Sequence, residues 1–203
     1  MYSDEPFLQA CNSPILLQAF DTLVGKNRWQ PIESMGTFPI RFPSDAEPGD
    51  AGWHIDASFG TESPDFMSWR VNFRSKGRAL LLLFLFSDVG EYDAPTRIRV
   101  GSHLDIARIL KPAGEAGMTL GELVTEFDKT AHCKEAYAVG AAGTVYLCHP
   151  FLVHAAQKHL GNEPKFMAQP PLLPVGSFEI ENNNFSHSPV EKAIRRAIGL
   201  KDI

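Results

Sequence analysis

The chain is poor in cysteine, in clustered positive charge and in long apolar runs, and each shortage excludes something. Its three cysteines, Cys11, Cys133 and Cys148, are an odd number without C-x-x-C spacing. They make no disulfide frame and suit a reducing, cytoplasmic setting. No block of Lys or Arg is present, and the formal net charge is −5. Nothing in that balance invites a nucleic acid or an anionic membrane. The longest apolar stretch, residues 79–86, is too short to span a bilayer and reads as a buried strand. Residues 1–6 are acidic and carry no apolar core of the kind a secretory signal needs. These absences leave a small-molecule protein as the expectation, with no sign of its oligomeric state.

What is present is an ordinary globular composition, 44% hydrophobic and 21% charged, over 203 residues. That length predicts one domain, residues 1–203, with a substantial core. Ser13 and Pro14 open an amphipathic helix over residues 13–24. From Met35 onward the texture changes to short apolar segments separated by Gly, Pro and Asp turns. Strands are expected at 38–42, 52–59, 69–73, 79–86, 97–100, 136–139, 144–148, 152–155 and 166–173. Many short strands argue a mainly β sandwich or barrel. A helical insertion is expected at 120–129. The capping box Ser188-Pro189-Val190-Glu191 leads into a closing helix over 192–200, so helices flank the β region at both ends.

Two H-x-D motifs occur. In Trp53-His54-Ile55-Asp56 the surrounding residues are β-branched and aromatic, so His54 and Asp56 should share one face of an extended segment. An imidazole and a carboxylate converging there, joined by a distant second imidazole, make the facial ligand set of non-haem Fe(II) sites. In Ser102-His103-Leu104-Asp105 the motif instead opens an apolar-periodic run. It reads as a helix start with Ser102 as cap and Asp105 near the positive end of the dipole. Helical i and i+2 side chains do not face each other, so His103 and Asp105 are not expected to share a metal.

Downstream lies Cys148-His149-Pro150-Phe151-Leu152-Val153-His154. The order of Gly52–Asp56, then Val100-Gly101-Ser102-His103, then His149-Pro150-x-x-x-His154 resembles the phytanoyl-CoA dioxygenase family of Fe(II)- and 2-oxoglutarate-dependent oxygenases, over roughly residues 38 to 175. The resemblance implies a double-stranded β-helix (jelly roll, cupin-like). It also implies a metal site of His54, Asp56 and His154, with no catalytic residue beyond the metal ligands. His149 is left to packing or hydrogen bonding, and His132, His159 and His187 to solvent. The implied cofactors are Fe(II) and the cosubstrate 2-oxoglutarate, used with O2 to hydroxylate a small molecule. Related halogenases lack the carboxylate that Asp56 supplies, which points to hydroxylation.

The family places an Arg about a dozen residues after the distal His to hold the far carboxylate of 2-oxoglutarate. Here the matching residue is Lys165, a point charge without the bidentate fork of Arg. Arg97 and Arg99, on the strand before Gly101, are the fallback if one of them faces inward, and Arg41 is a third candidate. The departure at Lys165 keeps a metal-binding jelly roll without oxygenase activity open as the alternative. A third reading makes His54 and Asp56 an ordinary hydrogen-bonded pair in a structural sandwich.

Overall fold

The computed structural model describes residues 2–201. Its most apolar segment, β3 (Leu80–Leu85), is buried throughout. Alternation along the strand sends Leu81, Leu83 and Leu85 to one face and Leu80, Leu82 and Phe84 to the other. The first set joins a small core with Ala138, Cys148 and Met167. The second joins the main core with Phe20, Ile106, Leu110 and Ile194. A strand covered on both faces needs an unbroken apolar run, and that is what residues 79–86 supply.

One edge of β3 pairs antiparallel with β7 (Val145–Cys148). The other edge pairs with β9 (Lys165–Ala168) and then β10 (Pro171–Leu172), and β1 (Ile40–Arg41) continues the sheet past β9. A second antiparallel sheet runs β6–β4–β8, from β4 (Thr96–Arg99), β6 (Glu135–Ala138) and β8 (His154–Ala155). The small core draws side chains from both sheets. The result is a curled antiparallel half-barrel, the expected jelly roll. A short ribbon, β2 (Arg70–Val71) with β5 (Met118–Thr119), stands apart from it.

Helices pack on the outer face. The expected N-terminal helix is α2 (Pro14–Leu23), and a shorter α1 (Glu5–Cys11), not anticipated from the sequence, precedes it. The closing helix is α5 (Pro189–Ala197), with both halves of the Ser188–Glu191 capping box formed. Glu191 is fully buried and accepts from Arg28 and the Glu179 amide, which ties α5 to distant loops. The insertion expected over 120–129 is split. It forms α4 (Leu120–Val124), breaks, and resumes as a 3-10 turn at Phe127–Thr130. Among the described residues no helix is long and apolar enough to cross a membrane.

Two local expectations are corrected. Residues 52–59 are extended but form no strand; only His54 and Phe59 make isolated bridges, to His154 and Arg70. The alternation survives without a ladder, with Ile55 buried in the main core and His54 and Asp56 turned the other way. Ser102 does not cap α3 (Ser102–Leu110). The cap position belongs to Gly101 at φ 90°, a left-handed backbone that favours glycine. The Ser102 hydroxyl instead accepts from the buried Val153 amide at 2.9 Å.

Candidate metal centre

His154 sits at the start of β8 between two neighbours. Along one edge it pairs with Ile98 of β4. Along the other, His54 and His154 exchange backbone N–H···O bonds, both 2.9 Å. This reciprocal pair brings the two imidazoles together, 4.4 Å between ring centroids. The Ser102–Val153 bond and an Arg99 N–H to Val153 carbonyl bond of 3.0 Å fix the residue just before His154. Asp56 reaches in from the same side as His54, with Oδ1 3.7 Å from His154 Nε2. One ligand atom from each of His54, Asp56 and His154 lies within 4.8 Å of the other two.

Backbone carbonyls orient both imidazoles. Nδ1 of His54 lies 2.7 Å from the Gly52 carbonyl, and Nδ1 of His154 lies 3.0 Å from the Leu152 carbonyl. Donating there leaves each Nε2 as the lone-pair nitrogen. Nε2 of His154 is buried and has no hydrogen-bond partner. Such an orphan is costly unless something occupies the space before it. Burial lowers the His154 pKa, helped by His54 and Arg78 and opposed by Asp56 and the Leu152 carbonyl. The ring is therefore neutral, which is the ligating form. Burial pushes the Asp56 carboxyl up, but Arg78, His154 and His54 outweigh it and hold it below the usual range. Two imidazole nitrogens and one carboxylate oxygen fit a divalent metal with open positions.

Arg78, which no sequence motif marks, holds the other side of Asp56. Its Nη1 is 3.1 Å from Oδ2, and its Nη2 donates to the Ala57 carbonyl at 3.1 Å. Oδ1 is thereby left facing the imidazoles. The contact spans 22 positions in sequence and follows a turn at Gly77, so no spacing rule could have found it.

Lys165 shares a cavity with two of these three residues, His54 and His154. With Phe166 turned outward at 38% exposure, Lys165 faces in and is 4% exposed. It lines a narrow cavity with His54, His154, Arg41, Asp50 and Gln169. Its ammonium donates to the Ala94 carbonyl. Burial, and then Arg41, lower its pKa to about 8 against the pull of Asp50. Arg41 is its cross-strand partner and is paired with Asp50.

Arg97 and Arg99 do not line this cavity. Two apart on β4, they share a face, so neither turns in alone. Their guanidiniums lie 4.5 and 4.2 Å from the Trp53 ring centroid. Arg99 also donates to the Phe127 carbonyl and Thr130 hydroxyl, and Arg97 to the Ala51 carbonyl. Together they immobilise the residue next to His54.

Of the other histidines, His149 is fully engaged. Its Nδ1 accepts from the Phe151 amide, its Nε2 lies 3.3 Å from the Val190 carbonyl, and its ring stacks 4.8 Å from His103. Burial first, then His103, lower its pKa to about 3. His132 is exposed as expected, but His159 is 3% exposed and accepts from the Gly161 amide. Its polar surroundings in sequence belong to a loop folded back on Ser44.

Solved structures with this fold include HygX from Streptomyces hygroscopicus with iron bound, at TM-score 0.51 and 16% identity, covering 86% of this chain and 72% of HygX. HygX has also been solved with nickel and 2-oxoglutarate, at TM-score 0.50. The apo non-heme monooxygenase ThoJ matches at TM-score 0.50 and 15% identity, over 96% of this chain and 80% of ThoJ. A third, the non-heme alpha ketoglutarate dependent carbocyclase SnoK from nogalamycin biosynthesis, matches at TM-score 0.45 and 13% identity, over 75% of this chain; the chain spans 50% of SnoK's length. The likeness to HygX and ThoJ shows the fold alone, the jelly roll. No family model matches the chain, and no curated protein matches it.

Proposed function

We propose that this chain is an Fe(II)- and 2-oxoglutarate-dependent oxygenase that hydroxylates a small molecule, working as one domain in the cytoplasm. The observation that carries the reading is the convergence of His54, Asp56 and His154 around the unpartnered His154 Nε2. In this reading those three residues hold the metal. The narrow cavity beyond His54 takes 2-oxoglutarate, and Lys165 meets its far carboxylate. Bound Fe(II), with 2-oxoglutarate and O2, supplies the chemistry: oxidation of a C–H bond coupled to decarboxylation of the cosubstrate to succinate.

The protein's own residues do the positioning. Gly52 and Leu152 carbonyls orient the imidazoles, Arg78 aims Asp56, and the Trp53 clamp stiffens the segment bearing His54. HygX, a neighbour in fold, binds iron and 2-oxoglutarate, which supports the same pair here. The ordered motifs of the phytanoyl-CoA dioxygenase family favour that branch.

A metal-binding protein without oxygenase activity is the second reading, favoured by one observation: the Lys165 ammonium already donates to the Ala94 carbonyl. Aerobic incubation with Fe(II) and 2-oxoglutarate, followed by assay of succinate, separates the two. Metal-dependent succinate formation that is lost in Lys165→Ala supports the oxygenase. Tight metal binding without succinate supports the alternative.

A further inference from the structure

His54 and Asp56 also line a second, much larger cavity of about 700 Å³. That volume is in the range of pockets that enclose a drug-sized ligand. Its walls are mostly aromatic and aliphatic, including Trp53, Phe66, Trp69, Leu120, Val124 and Phe127. The rings are fixed before anything binds. Trp53 lies against two guanidiniums, the Trp69 indole N–H donates to the Ser63 carbonyl at 2.8 Å, and Phe66 meets Trp69 edge-on at 5.0 Å. The charged side chains in the lining are already neutralised: Asp56 pairs with Arg78, and Asp50 pairs with Arg41. Gln169 and Thr37 supply uncharged hydrogen-bonding groups. Phe66 and Val124, from the turn Phe66–Ser68 and from α4, are 57% and 55% exposed although they border the cavity. Large apolar side chains left open to water beside a concave site gain by covering a ligand.

We infer that this cavity binds an uncharged, largely apolar, ring-bearing small molecule, and that this is the class of substrate presented to the metal. The binding half of the inference is independent of the oxygenase reading; the word substrate rests on it. A charged ligand would bury its charge here without a free partner, which is unfavourable. A flat neutral ring system would instead meet preformed aromatic walls.

Two fluorescent probes with the same rings test this on the full chain without added metal. N-phenyl-1-naphthylamine is neutral, and 1-anilinonaphthalene-8-sulfonate adds an anionic group. The neutral probe should bind saturably and at least tenfold more tightly than the sulfonate. Phe66→Asp and Val124→Asp, at exposed positions that do not threaten folding, should each weaken it at least tenfold. Tyr92→Asp, equally exposed but bordering a different cavity, should leave it unchanged. Equal or tighter binding of the sulfonate, or neutral-probe binding indifferent to Phe66→Asp and Val124→Asp, overturns the inference. The absorption band of an Fe(II)–2-oxoglutarate chelate is read separately. That band without probe binding overturns the occupant and leaves the oxygenase. Probe binding without the band supports the occupant and overturns its role as substrate.

Discussion

The same three-letter pattern occurs twice in this chain and does two different things. In residues 54–56 the backbone is extended, so His54 and Asp56 point together and His154 closes on them. In residues 103–105 the backbone is helical, and the two side chains part. His103 stacks on His149, while Asp105 pairs with Arg108 and lies 3.4 Å from His132 Nε2 and 3.6 Å from Cys133 Sγ. This second group of ligand-type atoms also falls within 4.8 Å, yet it leaves no orphan. Asp105 already has a cation, the Cys133 thiol donates to it, and His132 is 67% exposed. Burial, the Asp105 charge and that hydrogen bond raise the Cys133 pKa, which disfavours the thiolate a metal needs. Proximity of ligand atoms does not by itself make a site. Backbone geometry that aims them, and burial that leaves one unsatisfied, do.

The largest expected effect tests that contrast directly. His54→Ala or His154→Ala should abolish Fe(II) binding at micromolar metal, measured by anaerobic equilibrium dialysis, while His103→Ala should leave it intact. The reverse pattern would move the site to the helical motif. Next in size, Lys165→Ala should raise the 2-oxoglutarate dissociation constant at least tenfold, about 1.4 kcal/mol, with Fe(II) affinity nearly unchanged. Calorimetric titration reads this. An unchanged constant would shift attention to Arg41, the other cation in that cavity, because Arg97 and Arg99 are engaged on Trp53.

A comparable loss, about 1–3 kcal/mol of stability, is expected for Ser102→Ala, since it strands the buried Val153 amide. Urea unfolding measures it. A variant as stable as the parent would show that this bond does not hold the approach to His154.

The smallest effect is in pH. Lys165 is faced by Arg41, Asp50 and the Ala94 carbonyl, and its pKa is lowered to about 8. The ammonium is the form that attracts a carboxylate. Affinity for 2-oxoglutarate should therefore be full below pH 8 and fall as the pH rises past it. Lys165→Arg should flatten the profile, because a guanidinium stays charged. A wild-type profile flat from pH 7 to 9 would argue against a direct role for Lys165.

Much of this was legible in the sequence. The buried run 79–86, the closing capping box and the ordered H-x-D, Gly-Ser-His and His-Pro-x-x-x-His elements led to the jelly roll and to the three residues that meet. What could not be read depends on the third dimension. Residues 52–59 look like a strand by composition, but their partners are single bridges, to His154 of β8 and to Arg70 of β2, which only the packing determines. Ser102 reads as a cap because capping is local, whereas its actual partner, Val153, is 51 positions away. Arg78 has no motif at all. At β4, positions 97 and 99 share a face, and only the structure places Trp53 in front of both.

The most direct test of the central claim is an anaerobic titration of the intact chain with Fe(II) and 2-oxoglutarate, followed by visible absorption, with His103→Ala and His154→Ala run alongside. The wild type and His103→Ala should each show a weak chelate band saturating at one metal per chain, and His154→Ala should show none. A band that survives His154→Ala, or its absence from a wild type that has bound the metal, would contradict the claim.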